Sequence, residues 1–380
     1  MNRAFLGVPE IESREKRWVN HRIAYYITAH GFGHAVRSLR VIKELGRIAP
    51  DVEITIVSTI PSFLIAQNLG EPLPQRAQAL DVGMVQLDNL RLDLEATLGA
   101  LQDLYDRRQS LIEEELRFFQ RERINAVVSD VAFLPFVAAA RFGIPCVGLG
   151  NFTWAWIYQH YVAKDRRWRG LVDWVRSCYV DCELFLQLPM HGDCSACPRV
   201  VPVPLVGRRA RRSRPEAREI LGIREGLKCY LLSFTALELS SDALRRVEQL
   251  SSVVYLYRAP LALELANAYC VDGIDLSYAD LVGAVDAVIT KPGYGIVADC
   301  LAQGTPMVYS DRGDFAEYDI LVKEMTRHLP VAYLPSSDLY AGCWENALRS
   351  LPEKRPATPT IATDGNRVCA RAVLEHIREH

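Results

Sequence analysis

The chain has 380 residues, of which 49% are hydrophobic and 24% charged, and its formal net charge is −2. That length predicts two domains, each able to bury a core, and that balance excludes an intrinsically disordered chain. Near-neutrality offers no basic face for nucleic acid and favours small-molecule chemistry. The first residues carry no apolar stretch of signal-peptide length and no later run reaches membrane-span length, so a cytoplasmic location is expected.

Residues 1–20 are expected to be a flexible N-terminus. From there, strand-like apolar runs alternate with helix-period segments, the pattern of parallel sheets covered by helices, and the fold class predicted is α/β with two doubly wound, Rossmann-like domains. IAYYITA (23–29) is a strand, AVRSLRVIKELGRI a helix with Leu39, Ile42, Leu45 and Ile48 on one stripe, and VEITIVST (52–59) the next strand. A long, one-sided helix ends near residue 122 and leads into the strand INAVVSD (124–130). A helix over 131–142 and the strand PCVGLGN (145–151) follow, and the strand-like CELFLQLP places Cys182 in packing. This N-terminal domain is bounded at 21–197.

PRVVPVPLVGRRARRSRP (198–215), rich in proline and arginine, reads as an interdomain linker. The C-terminal domain, 216–360, carries the strands KCYLLSF (228–234), SVVYLYR (252–258), DAVITK (286–291) and PMVYSD (306–311). The last segment, 361–380, is a helix able to pack back on the first domain.

The ten cysteines lie mostly in apolar runs and read as reduced thiols. Cys194-x-x-Cys197, with His191, Cys178 and Cys182 upstream, lacks the second well-spaced ligand pair of a structural zinc site, and no metal is assigned.

In open α/β sheets, ligands bind beyond the carboxyl ends of strands, which directs attention to three loops. In TAHGFGHAVRS (28–38), Gly31 and Gly33 permit a tight turn and His34 opens a helix. A neutral imidazole there can accept a proton near pH 7, whereas the bland alternative is a turn whose histidines, His30 and His34, satisfy backbone groups. Asp130 ends the strand in VVSDVAF and either orients a histidine or caps the helix after it. In ITKPGYGIVADCLAQGTPMVYSDRGDFAEYD (289–319), Pro292, Gly293 and Gly295 turn the chain sharply into a helix whose start can approach a diphosphate. Asp299, one turn on, can accept hydrogen bonds from a ribose diol, although such a glycine pair also occurs in ordinary strand-to-helix turns.

These loops, in this order, resemble the GT-B glycosyltransferases, above all the UDP-GlcNAc transferase family of peptidoglycan synthesis. The glycosyltransferase-like N-terminal region of plant-type L-arabinokinases is more similar still. The resemblance spans roughly residues 20 to 350 and is sharpest in AHGFGHAVRS, in VVSDVAF followed by GLGNFTWAWIY, and in KPGYGIVADCLAQGTPMVYSDRGDFAEY. It implies His34 as catalytic base with Asp130 in support. His30, Gly31, Gly33, Asn151, Phe152 and Trp154 would then lie on the acceptor side. It also implies a nucleotide-sugar donor, most simply a UDP-sugar, held by Ser233, Thr235, Lys291, Gly293, Tyr294, Gly295, Asp299, Asp314 and Glu317. Two departures stand out: Asp299 where glutamate is usual, and Ser233-Phe234-Thr235-Ala236 where glycines are usual.

The activity implied is a metal-independent, inverting glycosyl transfer that needs no cofactor besides the donor substrate, and the acceptor is left open. No Asp-x-Asp triplet is present to hold a metal diphosphate, so helix amides and Lys291 would neutralise the leaving group. Two alternatives stay open: a non-hydrolysing sugar-nucleotide epimerase, and a non-catalytic nucleotide-sugar-binding module that regulates a sugar kinase. The basic cluster at 207–214 offers peripheral contact with anionic lipid or a plain solvated loop. The aromatic stretch 151–161 offers sugar stacking or core packing.

Overall fold

The computed structural model describes residues 21–70, 72–86, 91–352 and 361–380, so the expected flexible N-terminus lies outside the described residues. The first domain is a seven-stranded parallel sheet of β1 (Arg22–Ile27), β2 (Glu53–Val57), β3 (Gln75–Arg76), β4 (Ala126–Asp130), β5 (Cys146–Gly150), β6 (Leu184–Gln187) and β7 (Val200–Pro202). Its spatial order is β3-β2-β1-β4-β5-β6-β7. The connecting helices are α1 (Phe32–Ile48), α2 (Ser62–Leu69), α3 (Leu94–Glu122), α4 (Leu134–Phe142), α5 (Trp154–Gln159) and α6 (Trp168–Tyr179).

The second domain is a six-stranded parallel sheet of β8 (Lys228–Ser233), β9 (Val253–Tyr257), β10 (Ala268–Cys270), β11 (Ala287–Thr290), β12 (Met307–Tyr309) and β13 (Val331–Tyr333), in the order β10-β9-β8-β11-β12-β13. Its helices are α7 (Arg214–Ile220), α8 (Ser241–Glu248), α9 (Tyr278–Ala284), α10 (Tyr294–Gln303), α11 (Tyr318–His328), α12 (Ser336–Ala341) and α13 (Glu345–Ser350). The chain then returns to the first domain, where α14 (Gly365–Glu379) packs on α1. Both halves are doubly wound, as the alternating pattern predicts.

Near-continuous apolar strands such as RIAYYI are buried on both faces, which is what a helix-covered parallel sheet requires. The core built by α1, α2 and α14 runs without a break into the α7, α9, α10 and α11 side of the second sheet. Separate cores cover the remaining face of each sheet.

The segment expected as a linker begins inside the first sheet, because Val200–Pro202 forms its edge strand, and Arg214 already belongs to α7. An edge position tolerates the proline that disguises this strand. Two crossings join the domains, one through 203–213 and one after α13. The described part of the return, from residue 361, lies beside the first crossing, with the amide of Leu205 donating to Ala362 O at 3.0 Å and that of Gly365 to Leu205 O at 3.1 Å. A β-carbon on Gly365 would stand 2.1 Å from Pro204 O, so only glycine fits there.

The basic cluster is engaged within the chain. Arg208 pairs with Asp299, Arg212 with Asp275 and Arg214 with Asp286, while Arg209 donates to Thr363. Arg208 and Arg214 thereby fasten the crossing to the second domain, while Arg209, Arg211 and Arg212 are exposed, as in the solvated loop of the sequence reading. No described helix is long and apolar enough to cross a membrane.

Candidate functional site

The strand order fixes where chemistry can gather. In each sheet the winding reverses between two central strands, β1 and β4 in the first and β8 and β11 in the second, and the loops leaving those strands splay apart to form a crevice. The two crevices face each other. Between them lies a cavity of about 500 Å³ lined by His30, Gly31, Gly33, His34 and Arg37 from the first domain. The second domain contributes Ser233, Thr235, Lys291, Gly293, Tyr294, Gly295, Arg312 and Glu317.

Gly31 takes φ +81° at the entry to α1, a backbone conformation that favours glycine and makes the tight turn expected there. Gly33 and Gly295 touch across the boundary: a β-carbon on Gly295 would lie 3.1 Å from Gly33 Cα. The absence of both side chains lets the two helix starts meet. Neither α1 nor α10 has a side-chain cap, so their first amides keep hydrogen-bonding capacity next to the cavity, at the positive ends of the helix dipoles.

His34 Nδ1 lies 2.8 Å from Asp130 Oδ1. Nδ1 also lies 2.9 Å from Arg37 Nη2, which can only donate, but that group is committed to Asp130 Oδ1 at the shorter 2.6 Å, so Nδ1 donates to the carboxylate and Nε2 keeps the lone pair. Burial, and then the neighbouring Arg37 guanidinium, lower the His34 pKa from its ordinary 6.5 against the opposing pull of Asp130. Burial pushes the Asp130 pKa up, but Arg37 and His34 outweigh it and hold the carboxyl well below the usual range. Asp130 is not the cap of the following helix. α4 starts only at Leu134, and the Asp130 carboxylate is consumed by His34, Arg37 and Ser38.

Arg37 was not singled out from sequence, yet it holds the site together. Its Nε and Nη2 donate to the two Asp130 oxygens at 2.7 and 2.6 Å, and Nη1 donates to Asn151 Oδ1 at 2.7 Å. Asn151 Nδ2 then donates to Glu317 Oε1 at 2.6 Å, and Arg312 Nη1 to Glu317 Oε2 at 3.0 Å. One hydrogen-bonded chain thus runs from the imidazole through Asp130, Arg37 and Asn151 into the second domain. The signal was present in sequence, since Arg37 lies on the same stripe of α1 as the buried Val41 and Leu45, where an unpaired cation would be costly.

Three expected site residues stand outside the cavity lining, and a fourth, Asp299, lines the groove that continues from it past Ser233, Thr235, Tyr294 and Gly295. Asn151 is fully buried behind the cavity wall in the network just described. Trp154 is fully buried too, set edge-on to His30 and donating to Asp81, so it supports His30 and leaves the lining to Phe152. Asp314 lies outside the cavity, clasping His160 and Lys164 of the first domain. Asp299 is buried and grips Arg208 with both oxygens, facing an adjoining groove of about 940 Å³ that also takes in Tyr278, Arg258 and Asp272. His30 lines the cavity, and burial, His34, Arg312 and Lys291 together lower its pKa to about 3. The Cys194 and Cys197 thiols are buried and free.

No family model matches the chain. It is 31% identical over 336 residues to an L-arabinokinase of Arabidopsis thaliana, covering 88% of this chain and 32% of that protein. The chain thus spans about a third of that relative's length. Among solved structures it is similar to the glycotransferase of kitacinnamycin, with TM-score 0.61 and 18% identity over 94% of this chain and 97% of that one. It is also similar to UGT2 of Phytolacca americana complexed with UDP-2fluoro-glucose and pterostilbene, with TM-score 0.59 and 13% identity over 94% of each chain. Two facing doubly wound domains and these likenesses agree: the chain has the fold of the GT-B glycosyltransferases.

Proposed function

We propose that the chain is a glycosyltransferase that takes a sugar from a nucleotide diphosphate, most simply UDP, and passes it to a hydroxyl acceptor with inversion. The observation that supports it best is the His34–Asp130 pair beside a cavity walled from both domains. In this reading the acceptor oxygen attacks the anomeric carbon from the first-domain side. His34 Nε2 takes the hydroxyl proton as the C–O bond forms, and the bond to the diphosphate breaks on the opposite face. Asp130 stays ionised and stabilises the resulting imidazolium. Lys291, Arg312 and the α10 amides surround the place where the leaving charge develops, and they carry the neutralisation without a metal. The UDP preference is supported by the Phytolacca americana neighbour, which was solved with a UDP-sugar analogue.

Nucleotide release from a panel of UDP-sugars, with a mixture of hydroxylated acceptors, tests the reading. Turnover should appear for at least one donor and give the inverted anomer. It should fall by about 10²- to 10⁴-fold in His34→Ala with donor binding kept, and it should not change initially on adding chelator. Retention of configuration removes the single-displacement step.

The arabinokinase likeness favours a second reading, a nucleotide-sugar-binding module that serves a sugar kinase. It predicts donor binding with no release from any donor, and binding indifferent to His34→Ala.

A further inference from the structure

A second constellation lies at the other edge of the first sheet. Glu183 immediately precedes β6, so it stands at the amino ends of the strands, away from the loops that line the cavity. His376 on α14 and His380, the residue that caps its C-terminus, face it. His376 Nε2 is 2.8 Å from Glu183 Oε2, His380 Nε2 is 3.7 Å from the same oxygen, and all three ligand atoms lie within 4.8 Å of one another.

His376 Nε2 donates to the Glu183 carboxylate and gives up that proton when an ion binds, while its buried Nδ1 has no hydrogen-bond partner among the described residues. At His380 the ligand atom is already set. His380 Nδ1 is 3.0 Å from the backbone carbonyl of His376, which can only accept, so Nδ1 holds the proton and Nε2 presents its lone pair toward Glu183. His376 is 4% exposed, which fixes its ring in place. The two rings converge with centroids 4.6 Å apart. A tetrahedral ion with bonds near 2.0–2.1 Å needs ligand atoms about 3.3 Å apart. The two distances to Glu183 straddle that value, and small rotations reach it. Glu183 and His380 are exposed, which leaves the fourth position to water.

The geometry points to a site for a divalent transition-metal ion at Glu183, His376 and His380, with Zn²⁺ the ion best matched to two imidazoles and a carboxylate. Its effect follows from connectivity. α14 comes after the whole second domain and packs on α1, so the ion pins the returning end of the chain to the first domain.

The test uses the full chain, stripped with chelator and titrated with Zn²⁺ by calorimetry, and with Co²⁺ as an absorbing probe. One equivalent should bind with a dissociation constant of about 10 µM or tighter, and Zn²⁺ should raise the melting temperature. His380→Ala and Glu183→Gln, both at exposed positions, should each weaken binding at least about tenfold, in line with loss of one ligand. Absence of saturable binding up to about 100 µM, more than enough to fill such a site by mass action, overturns the site. So does an affinity that both variants leave unchanged, since the ion would then sit elsewhere, at the cysteines for instance.

Discussion

At the scale of single residues, the site turns on an imidazole held in its basic form. A histidine whose folded pKa lies below 6.5 is neutral at and above that pH, so kcat/KM should be flat from about pH 6.5 upward. The acid limb should lie below the ordinary imidazole value, and a limb centred above pH 7 would contradict the assignment of His34. The same shifts bear on stability. As pH falls below 6.5 the unfolded chain protonates His30 and His34 before the folded chain does, so their contribution is present above 6.5 and lost on acidification. For His30 that loss extends down toward pH 3. His30→Gln should therefore flatten the fall of melting temperature between pH 6.5 and 4 relative to the parent chain.

At the scale of elements, α1 carries the connection between the domains. Arg37→Ala would leave Asp130 as a buried carboxylate with its main counter-charge gone, a change that costs about 3 to 5 kcal/mol. Urea denaturation should show a loss of that size, and a loss below about 1 kcal/mol would mean that water replaces the guanidinium. Legibility from sequence also divides by element. The βα units with long apolar strands, β1–α1, β4–α4 and β11–α10, were readable because strand period, helix period and turn glycines agree locally, and they carry the pair His34 and Asp130. The strands β3, β7, β10 and β13 are two or three residues long and show no period, while the equally short β12 is marked by the Gly304-Thr305-Pro306 turn before it. Asn151, Trp154 and Asp314 were placed by motif, but a motif does not reveal where a side chain's partners lie. Those partners, Arg37, Asp81 and His160, come from distant stretches of chain. Asp299 shows the same limit, because its partner Arg208 sits in a segment that reads as a linker.

At the scale of the whole molecule, the two sheets share one uninterrupted core and two paired crossings. Gly365→Val would drive a side chain into Pro204 O and separate the crossings, with an expected loss of about 1 to 3 kcal/mol. Hydrogen exchange should report it first as lost protection in α14, with the second sheet unaffected; uniform loss across both sheets would mean that the domains unfold as one unit. A core that runs from one sheet into the other holds both walls of the cleft as one body. The direction from which a group on one wall meets a group on the other is then set by backbone packing, before any side chain has touched a substrate.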